Sequence, residues 1–238
     1  MRFTVICTLI ALCSGCGSAI LRDDFDADAL NQPPAESPPG DPVGDLVYLS
    51  SPSSGSAVVV SAPAGLSGRS LEYRNVNVPT YNRYLGFVGK EITPSSVEYW
   101  AAWVGIPQLS NAASALDVWI GNSHFLALGG IRFNNGQIFR QAAGSSYVPI
   151  GTYTPGQRHT VIIKVDKAAQ TYVISVFGGQ SVSTGTQTVL NPGALSTLRP
   201  SVYFWFSEES SSTSKYVIDD ITITEACPES GDSVGACT

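Results

Sequence analysis

The chain has 238 residues, of which 13% are charged and 43% hydrophobic, and 13 Lys and Arg stand against 19 Asp and Glu. This composition, without a run of about eighteen apolar residues, indicates a folded domain and excludes a multi-span membrane protein. The net charge of −6, with no basic cluster, makes nucleic acid an unexpected partner. It also means that attachment to a membrane would need something other than surface charge.

The first fifteen residues are typical of a secretory signal peptide. Arg2 supplies a positive charge, and Phe3–Leu12 (FTVICTLIAL) is apolar but too short to span a bilayer as a helix. The next residues, Cys13–Cys16 (CSGC), resemble the lipobox of bacterial lipoproteins, in which small residues precede a cysteine. The resemblance implies a signal peptide of residues 1–15, a diacylglycerol on the sulfur of Cys16 and an outer-membrane location facing the periplasm or the cell surface.

Cleavage without lipid attachment is the alternative. Cys13 occupies the place, three residues before the cysteine, where the lipobox has Leu or a small residue. Gly17–Ala19 fits an ordinary small-x-small site, so cleavage after Ala19 would secrete the protein without an anchor. If Cys16 is acylated instead, its lipid chains hold the protein at the membrane without any protein contact.

The rest of the chain divides into a tether, a domain and a short tail. Residues 16–22 are expected to form the tether, and residues 23–226 a β-sandwich domain. Residues 27–44 (ADALNQPPAESPPGDPVG) are rich in Pro, which stiffens the backbone toward an extended form. We expect this Pro-rich segment to form an excursion from the domain.

The C-terminal tail, residues 227–238, contains Cys227 and Cys237. An even pair of cysteines in an oxidising compartment predicts a disulfide. A metal site is a poor alternative, because two thiols without a nearby His supply too few ligands. We therefore expect a structural disulfide that closes the tail.

From Asp45 onward, apolar residues recur with a period of two rather than 3.6, which predicts β-strands. Asn135-Gly136 favours a type I′ turn because both residues accept a positive φ, so a hairpin is expected there. Residues 166–170 (DKAAQ) join two strong strands in a second hairpin. Many short strands with regular turns predict a sandwich or a barrel. The predicted strands are Ser56–Val60, Tyr84–Val88, Val97–Val104, Ala115–Ile120, Phe125–Leu128, Ile131–Asn134, Gln137–Arg140, Thr160–Asp166, Thr171–Phe177, Val182–Val189, Ser201–Phe206 and Tyr216–Thr224.

Several segments share a pattern with one group of proteins. Asp23–Asp26 (DDFD) is similar to the opening strand of that group, and Tyr216–Ile223 (YVIDDITI) is similar to its closing strand. Arg158–Asp166 (RHTVIIKVD) with Gln170–Val176 (QTYVISV) resembles its central hairpin. The group is the concanavalin A-like (laminin G-like) jelly-roll superfamily of lectins and glucanases. The resemblance implies an all-β fold of two antiparallel sheets, with the first and last strands side by side.

The resemblance also implies calcium as a candidate cofactor, because a calcium site is common in the superfamily. Asp24 and either Asp219 or Asp220 would meet where the first and last strands pair. Calcium takes roughly six to eight oxygen ligands, and these residues supply fewer, so a polar strand edge is the alternative interpretation.

No local motif for catalysis is present in the sequence. The glucanases of the superfamily carry three acids spaced i, i+2 and i+5 on one strand, and no such spacing occurs here. Glycine-rich phosphate loops and serine nucleophile motifs are also absent. A lyase would leave no local motif, and His159 with Arg158 would be its candidates, although a surface strand edge is the preferred interpretation.

Aromatic residues suggest a binding surface, because a flat ring can stack on the apolar face of a sugar. Alternation along Ser201–Phe206 turns Tyr203 and Trp205 outward if the other apolar residues form the core face of the strand. Trp100 and Trp103 lie on opposite faces of another predicted strand. These four aromatic residues are the ligand-binding candidates, with burial in the core as the alternative.

The sequence therefore predicts an exported, lipid-anchored β-sandwich that binds a glycan or another extracellular ligand without catalysis. One alternative is a polysaccharide-active enzyme, a lyase or a glycosidase, whose site is assembled across strands. Another is a purely structural component of the cell envelope. Exposed Tyr203 and Trp205 in one groove would favour binding, whereas two carboxylates about 5–9 Å apart would favour a glycosidase.

Overall fold

The computed structural model describes residues 19–34, 45–48, 57–74, 84–92, 97–109, 114–196, 199–206 and 214–225. Within these ranges no helix is long and apolar enough to cross a bilayer. The described secondary structure is almost entirely strand, with short 3-10 segments at Ala143–Ser145 and Pro192–Ser196. The strands are β1 (Ala19–Asp23), β2 (Asp45–Tyr48), β3 (Ala57–Ser61), β4 (Arg69–Arg74), β5 (Tyr84–Val88), β6 (Glu98–Gln108), β7 (Ala115–Asn122), β8 (Ala127–Asn134), β9 (Gln137–Gln141), β10 (Tyr147–Thr152), β11 (His159–Asp166), β12 (Thr171–Phe177), β13 (Val182–Ser183), β14 (Gln187–Thr188), β15 (Pro200–Phe206) and β16 (Lys215–Thr224).

The strands form two antiparallel sheets. Sheet A has the order β13-β12-β11-β6-β16-β4-β3, with β1 also paired to β16 and β14 to β12. Sheet B has the order β10-β9-β8-β7-β15-β5-β2. Some neighbouring strands are far apart in the sequence, as β16 and β6 are. The strands are therefore joined by long connections as well as by hairpins. The predicted two-sheet jelly-roll sandwich is confirmed.

The core lies between the sheets, where every second side chain of each strand points inward. The ring of Phe204 on β15 meets Trp103 on β6 edge to face, with their centroids 5.3 Å apart. Trp103 Nε1 donates a buried hydrogen bond of 2.9 Å to the hydroxyl of Tyr216 on β16. Val202 and Phe206 join Phe204 in the core, so the predicted core face of this strand is confirmed.

The first and last strands lie side by side, as the superfamily resemblance implies. Ala19 pairs with Thr224, and Asp23 pairs with Ile221. The predicted tether of residues 16–22 is wrong for residues 19–22, because their backbone belongs to sheet A. The opening strand also ends at Asp23 rather than at Asp26, since Phe25 takes a positive φ of 58° and enters the core.

Both predicted hairpins are confirmed, and the local turn chemistry explains them. Asn135 and Gly136 take φ values of 46° and 74°, as a type I′ turn requires. Between β11 and β12, Asp166 accepts a hydrogen bond of 2.8 Å from the backbone N–H of Ala169, and Gln170 takes the positive φ. The predicted strand Val182–Val189 is instead broken into the short strands β13 and β14.

The strands that the sequence prediction missed include β4 and β10. In β4, Ser70 and Glu72 are buried together with their apolar neighbours, so the strand lacks the polar and apolar alternation of a half-exposed one. β10 contains Pro149 and a register shift between Pro149 and Gly151. It is the edge strand of sheet B, where Pro is tolerated because no second ladder needs its N–H.

Several predictions fall on residues outside the described ranges. They concern the signal peptide, the lipid on Cys16, most of the Pro-rich segment 27–44, and the disulfide between Cys227 and Cys237. These remain predictions from the sequence. The described part of the segment, residues 27–34, runs beside sheet A, where Asn31 and Gln32 exchange backbone hydrogen bonds with Val59.

Candidate functional site

The side of sheet B that faces away from sheet A, the outer face, carries aromatic and charged side chains instead of apolar core residues. On β15 and β7 the pairing places Tyr203 opposite Trp119, and Trp205 opposite Asp117. On β7 and β8 it places Asp117 opposite Arg132. None of these residues belongs to the core between the sheets. The outer face is therefore the surface on which a ligand site can be assembled.

Two tryptophans form the aromatic part of the outer face. The rings of Trp119 and Trp205 are 5.6 Å apart between centroids and inclined at 43°, and both are partly exposed. Gly130 lies opposite Trp119 on β8. A Cβ atom at Gly130 would be 2.5 Å from Cδ1 of Trp119, so the indole lies against the bare backbone of the glycine. The Trp119–Trp205 pair was missed by the sequence prediction, which named only Trp205.

Tyr203 lies next to this tryptophan pair but is not itself exposed. Only 2% of its surface is accessible, and its hydroxyl donates a hydrogen bond of 2.8 Å to the carbonyl of Asn122. Its ring is covered by Phe125, with the centroids 4.9 Å apart, and Phe125 is 47% exposed. The predicted direction of Tyr203 is right, but the predicted exposure is wrong, because Phe125 takes the solvent-facing place.

Asn122 holds the loop that carries Phe125. Its Oδ1 accepts hydrogen bonds from the backbone N–H groups of His124 (3.0 Å) and Leu126 (3.2 Å). Its Nδ2 donates to the carbonyl of Ala194 at 3.2 Å. This buried amide thereby provides hydrogen-bond partners for the backbone of the tight turn in which Phe125 takes a φ of 61°. The position of Phe125 is therefore fixed by the side chain of Asn122 rather than by a strand.

Asp117, Arg132 and Tyr147 form the polar part of the outer face. Arg132 donates from Nε and Nη2 to the two oxygens of Asp117 at 2.7 and 2.6 Å. The hydroxyl of Tyr147 donates to Asp117 Oδ1 at 3.0 Å, and the guanidinium carbon of Arg132 is 3.8 Å from the centre of the Tyr147 ring. Asp117 is fully buried by these partners, so its charge is compensated within the site.

The protonation of this group is fixed at neutral pH. Burial raises the pKa of Tyr147 to about 12, and the neighbouring charge of Asp117 adds to the rise. Burial lowers the pKa of Arg132, but the hydrogen bonds and charge of Asp117 outweigh burial and raise it. Tyr147 therefore keeps its proton and Arg132 keeps its charge. The group offers hydrogen-bond donors rather than a base.

The other two predicted aromatic residues lie elsewhere. Trp103 is 1% exposed at the centre of the core, so its inclusion among the ligand candidates was wrong. Trp100 lies on the opposite side of the molecule, on the face of sheet A turned away from sheet B, and is 5% exposed. Its Nε1 donates to Glu98 at 3.2 Å, and Lys164 Nζ lies 5.0 Å from its ring centre. The four candidates thus do not form one site.

His159 and Arg158, the lyase candidates, are also separated by the fold. Arg158 is exposed, whereas His159 is 2% exposed, so its interpretation as a surface strand edge was wrong. Its ring lies about 6 Å from the rings of Phe133 and Tyr153, at 6.3 and 6.0 Å. Burial lowers the pKa of His159, which favours the neutral ring. His159 is a packed interior residue.

Among the residues that the structure describes, the acids expected to bind calcium do not form a metal site. Asp24 accepts a hydrogen bond from the N–H of Asp26 in its own turn, at 3.2 Å. Asp219 is 3% exposed and accepts hydrogen bonds from Ser70 Oγ at 3.2 Å and from the N–H of Asp220 at 3.0 Å. Burial, with the charge of Asp220, raises the pKa of Asp219 to about 7. Across the described ranges no three acidic, His or Cys side chains are grouped to hold a metal ion. These residues do not fit calcium.

Comparison with known proteins identifies similar folds. No protein-family model and no curated protein matches the sequence. Among solved structures, a GH131 β-glucanase catalytic domain from Podospora anserina aligns with a TM-score of 0.59 and 13% identity, over 88% of this chain and 99% of that one. Lectin UEA-II in complex with galactose aligns with a TM-score of 0.53 and 11% identity, over 87% of this chain and 99% of the lectin.

A third similar structure is a much longer protein. A sialidase aligns with a TM-score of 0.54 and 15% identity over 87% of this chain, which spans 18% of the sialidase's length. Identities this low show a shared fold and not a shared activity. The chain is an all-β, two-sheet antiparallel jelly-roll sandwich.

Proposed function

We propose that the protein binds a glycan on the outer face of sheet B without chemically altering it. The observation that carries the proposal is the Trp119–Trp205 pair beside the ion pair of Asp117 and Arg132. Aromatic rings can stack on the C–H face of a sugar, and fixed polar groups beside them can meet its hydroxyls. The outer face combines both kinds of group on rigid strands.

The similar structures support the carbohydrate class of ligand. One is a lectin in complex with galactose, one is a β-glucanase domain and one is a sialidase. Those names describe the other proteins, and the low identities leave the ligand of this chain to be argued from its own residues. They agree with a sugar as the partner of the aromatic pair.

The chemistry of the outer face favours binding over hydrolysis. Glycoside hydrolysis uses two carboxyl groups roughly 5–9.5 Å apart. On the described strands β7, β8, β9, β10 and β15, Asp117 is the one outer-face carboxylate, and it is already occupied by Arg132 and Tyr147. A lyase would need a base, and Tyr147 keeps its proton because burial raises its pKa to about 12.

The proposal is tested by comparing two tryptophan substitutions on opposite sides of the molecule. The full chain is screened on a glycan array, and the affinity for the best ligand is then measured by calorimetry. We expect Trp205→Ala to weaken binding about tenfold or more, which corresponds to about 1.4 kcal/mol. The matched control, Trp100→Ala on sheet A, should change it less than twofold.

Other outcomes would select the alternatives. An array without any bound glycan would contradict the proposal and favour a structural role. Loss of affinity in Trp100→Ala but not in Trp205→Ala would place the site on sheet A and contradict the proposal. Release of reducing sugar or of an unsaturated product from the bound glycan, abolished by Arg132→Gln, would establish the polysaccharide-active enzyme instead.

We also propose that the protein is exported and held at the outer membrane by a lipid on Cys16. The support is the sequence of residues 1–16, with its positive charge, apolar segment and small residues before Cys16. An anchored glycan-binding domain would hold a polysaccharide at the cell surface or in the periplasm. Secretion after cleavage at Ala19 is the alternative.

A further inference from the structure

A cleft of about 550 Å³ opens at the margin of the sandwich, where the end of β9 in sheet B approaches β12 in sheet A. Its walls are residues 140–144 on one side and residues 187–191 on the other, with Tyr172 between them. The volume is within the range of small-molecule sites. Neither tryptophan of the outer face lines this cleft, so it is distinct from the site proposed above.

Arg140 gives the cleft its charge. Arg140 pairs in register with Ile131, a core residue, so it leaves β9 on the side that faces the other sheet. It is partly buried, and no acidic residue lines the cleft. In the part of the chain that the structure describes, no carboxylate forms an ion pair with Arg140. A partly buried guanidinium without a counter-ion favours a bound anion.

The remaining lining is neutral, and Gln187 and Asn191 are among its polar residues. Gln187 donates from Nε2 to the carbonyl of Thr184 at 2.7 Å, and Asn191 donates from Nδ2 to the carbonyl of Ala127 at 2.6 Å. These bonds fix the amide groups, so Gln187 and Asn191 offer their side-chain oxygens as hydrogen-bond acceptors. The side chain of Tyr172 is held by the core, because its ring fills the space that a Cβ at Gly129 would need.

We propose that this cleft binds a sugar acid. Its carboxylate would pair with the guanidinium of Arg140, and its hydroxyls would donate to the amide oxygens of Gln187 and Asn191. Arginine is suited to the first contact because its planar fork matches both oxygens of a carboxylate. The combination of one cation with neutral acceptors selects an anion that also carries hydroxyl groups over a simple ion.

The test is a titration of the ¹⁵N-labelled full chain followed by backbone amide shifts. The probes are sodium glucuronate, glucose, inorganic phosphate and an oligoglucuronate. We expect glucuronate, but not glucose, to move the amide signals of residues 140–144 and 187–191. Arg140→Gln should weaken this binding at least tenfold. The matched control Arg22→Gln, which removes an exposed arginine from β1, should leave it unchanged.

The outcomes distinguish a free sugar acid from a polymer that contains it, and they test the cleft separately from the outer face. Equal binding of the monomer and the oligomer assigns a free sugar acid, and tighter binding of the oligomer assigns a polymer that contains it. The proposal is overturned if glucuronate leaves these signals unmoved, if Arg140→Gln binds like the unmodified chain, or if phosphate binds as well as glucuronate. Because Trp119 and Trp205 do not line the cleft, their indole signals report on the other site, and either proposal can fail while the other stands.

Discussion

Asp117 and Arg132 face each other across β7 and β8 and are joined by two parallel hydrogen bonds of 2.7 and 2.6 Å. Asp117 has no accessible surface, whereas a quarter of the Arg132 side chain remains exposed. The pair lies beside Trp205, which is opposite Asp117 on β15. It therefore joins the aromatic and the polar parts of the outer face.

Breaking this ion pair should destabilise the protein. In Asp117→Asn the charge of Arg132 loses its partner, and we expect the free energy of unfolding to fall by about 2–4 kcal/mol in denaturant titrations. The control is Glu98→Gln, which breaks the pair with Lys164, where both side chains are 37% exposed. That loss should be below about 1 kcal/mol. Equal losses in the two variants would show that the Asp117–Arg132 pair stabilises the fold no more than an exposed ion pair does.

Gly130 should tolerate no side chain, because Trp119 occupies the space above it. In Gly130→Ala the new methyl group would be 2.5 Å from the Trp119 ring and 2.6 Å from the carbonyl of Val118. We expect a loss of about 1–3 kcal/mol and weaker glycan binding. Gly193→Ala is the control, since no atom lies within 4 Å of its Cβ. If Gly130→Ala bound glycan normally, the placement of Trp119 would be irrelevant to the site.

Much of this arrangement could be predicted from local pattern. The alternation of Leu116 and Val118 with Asp117 and Trp119 already puts the last two on one face of a strand. The contact of Asp117 with Arg132, however, depends on the pairing of separate strands. No local pattern states that register, and irregularities such as the shift between Ile120 and Gly121 alter it.

Exposure could not be predicted in the same way. Alternation separates Trp100 from Trp103, and the structure confirms that they lie on opposite faces of sheet A. Whether an outward ring meets solvent depends on what packs over it. Lys164 and Glu98 cover Trp100, and Phe125 covers Tyr203 from a loop whose path is set by the buried Asn122.

Asp219 should make stability depend on pH in the opposite sense to an ordinary salt-bridged acid. Its pKa is about 7 in the folded protein against 3.8 as the ordinary value, so the folded state binds the proton more tightly. Stability should therefore fall as pH rises from about 4 to about 7, and stay low above that. Differential scanning calorimetry at several pH values measures this slope.

Removing the Asp219 charge should remove that loss. Asp219→Asn keeps the contacts to Ser70 and to the N–H of Asp220, so we expect it to be more stable than the unmodified chain at pH 8, by up to about 4 kcal/mol. Near pH 4 the two should be equal. Asp220→Asn, at an exposed neighbour, should give a smaller gain. A lower stability of Asp219→Asn at pH 8 would show that the carboxylate is needed in its charged form.

The proposed lipid anchor makes a direct prediction about mass. Native protein extracted from the membrane should have the mass of a chain that begins at Cys16, plus a diacylglycerol and any further acyl chain. Cys16→Ser should lose both the adduct and the membrane association. A mass that matches a chain beginning at Ile20, with no adduct, would establish plain secretion instead.

The four tryptophans of the chain lie in three different environments, which allows the central proposal to be tested in one experiment. Trp119 and Trp205 lie on the outer face of sheet B, Trp103 in the core, and Trp100 on the far side of sheet A. The measurement is a titration of ¹⁵N-indole-labelled protein with the best glycan from the array. The account predicts that the indole N–H signals of Trp119 and Trp205 move in proportion to occupancy while those of Trp103 and Trp100 stay in place. Movement of the Trp100 signal alone, or no movement of Trp119 and Trp205 at saturation, would contradict it.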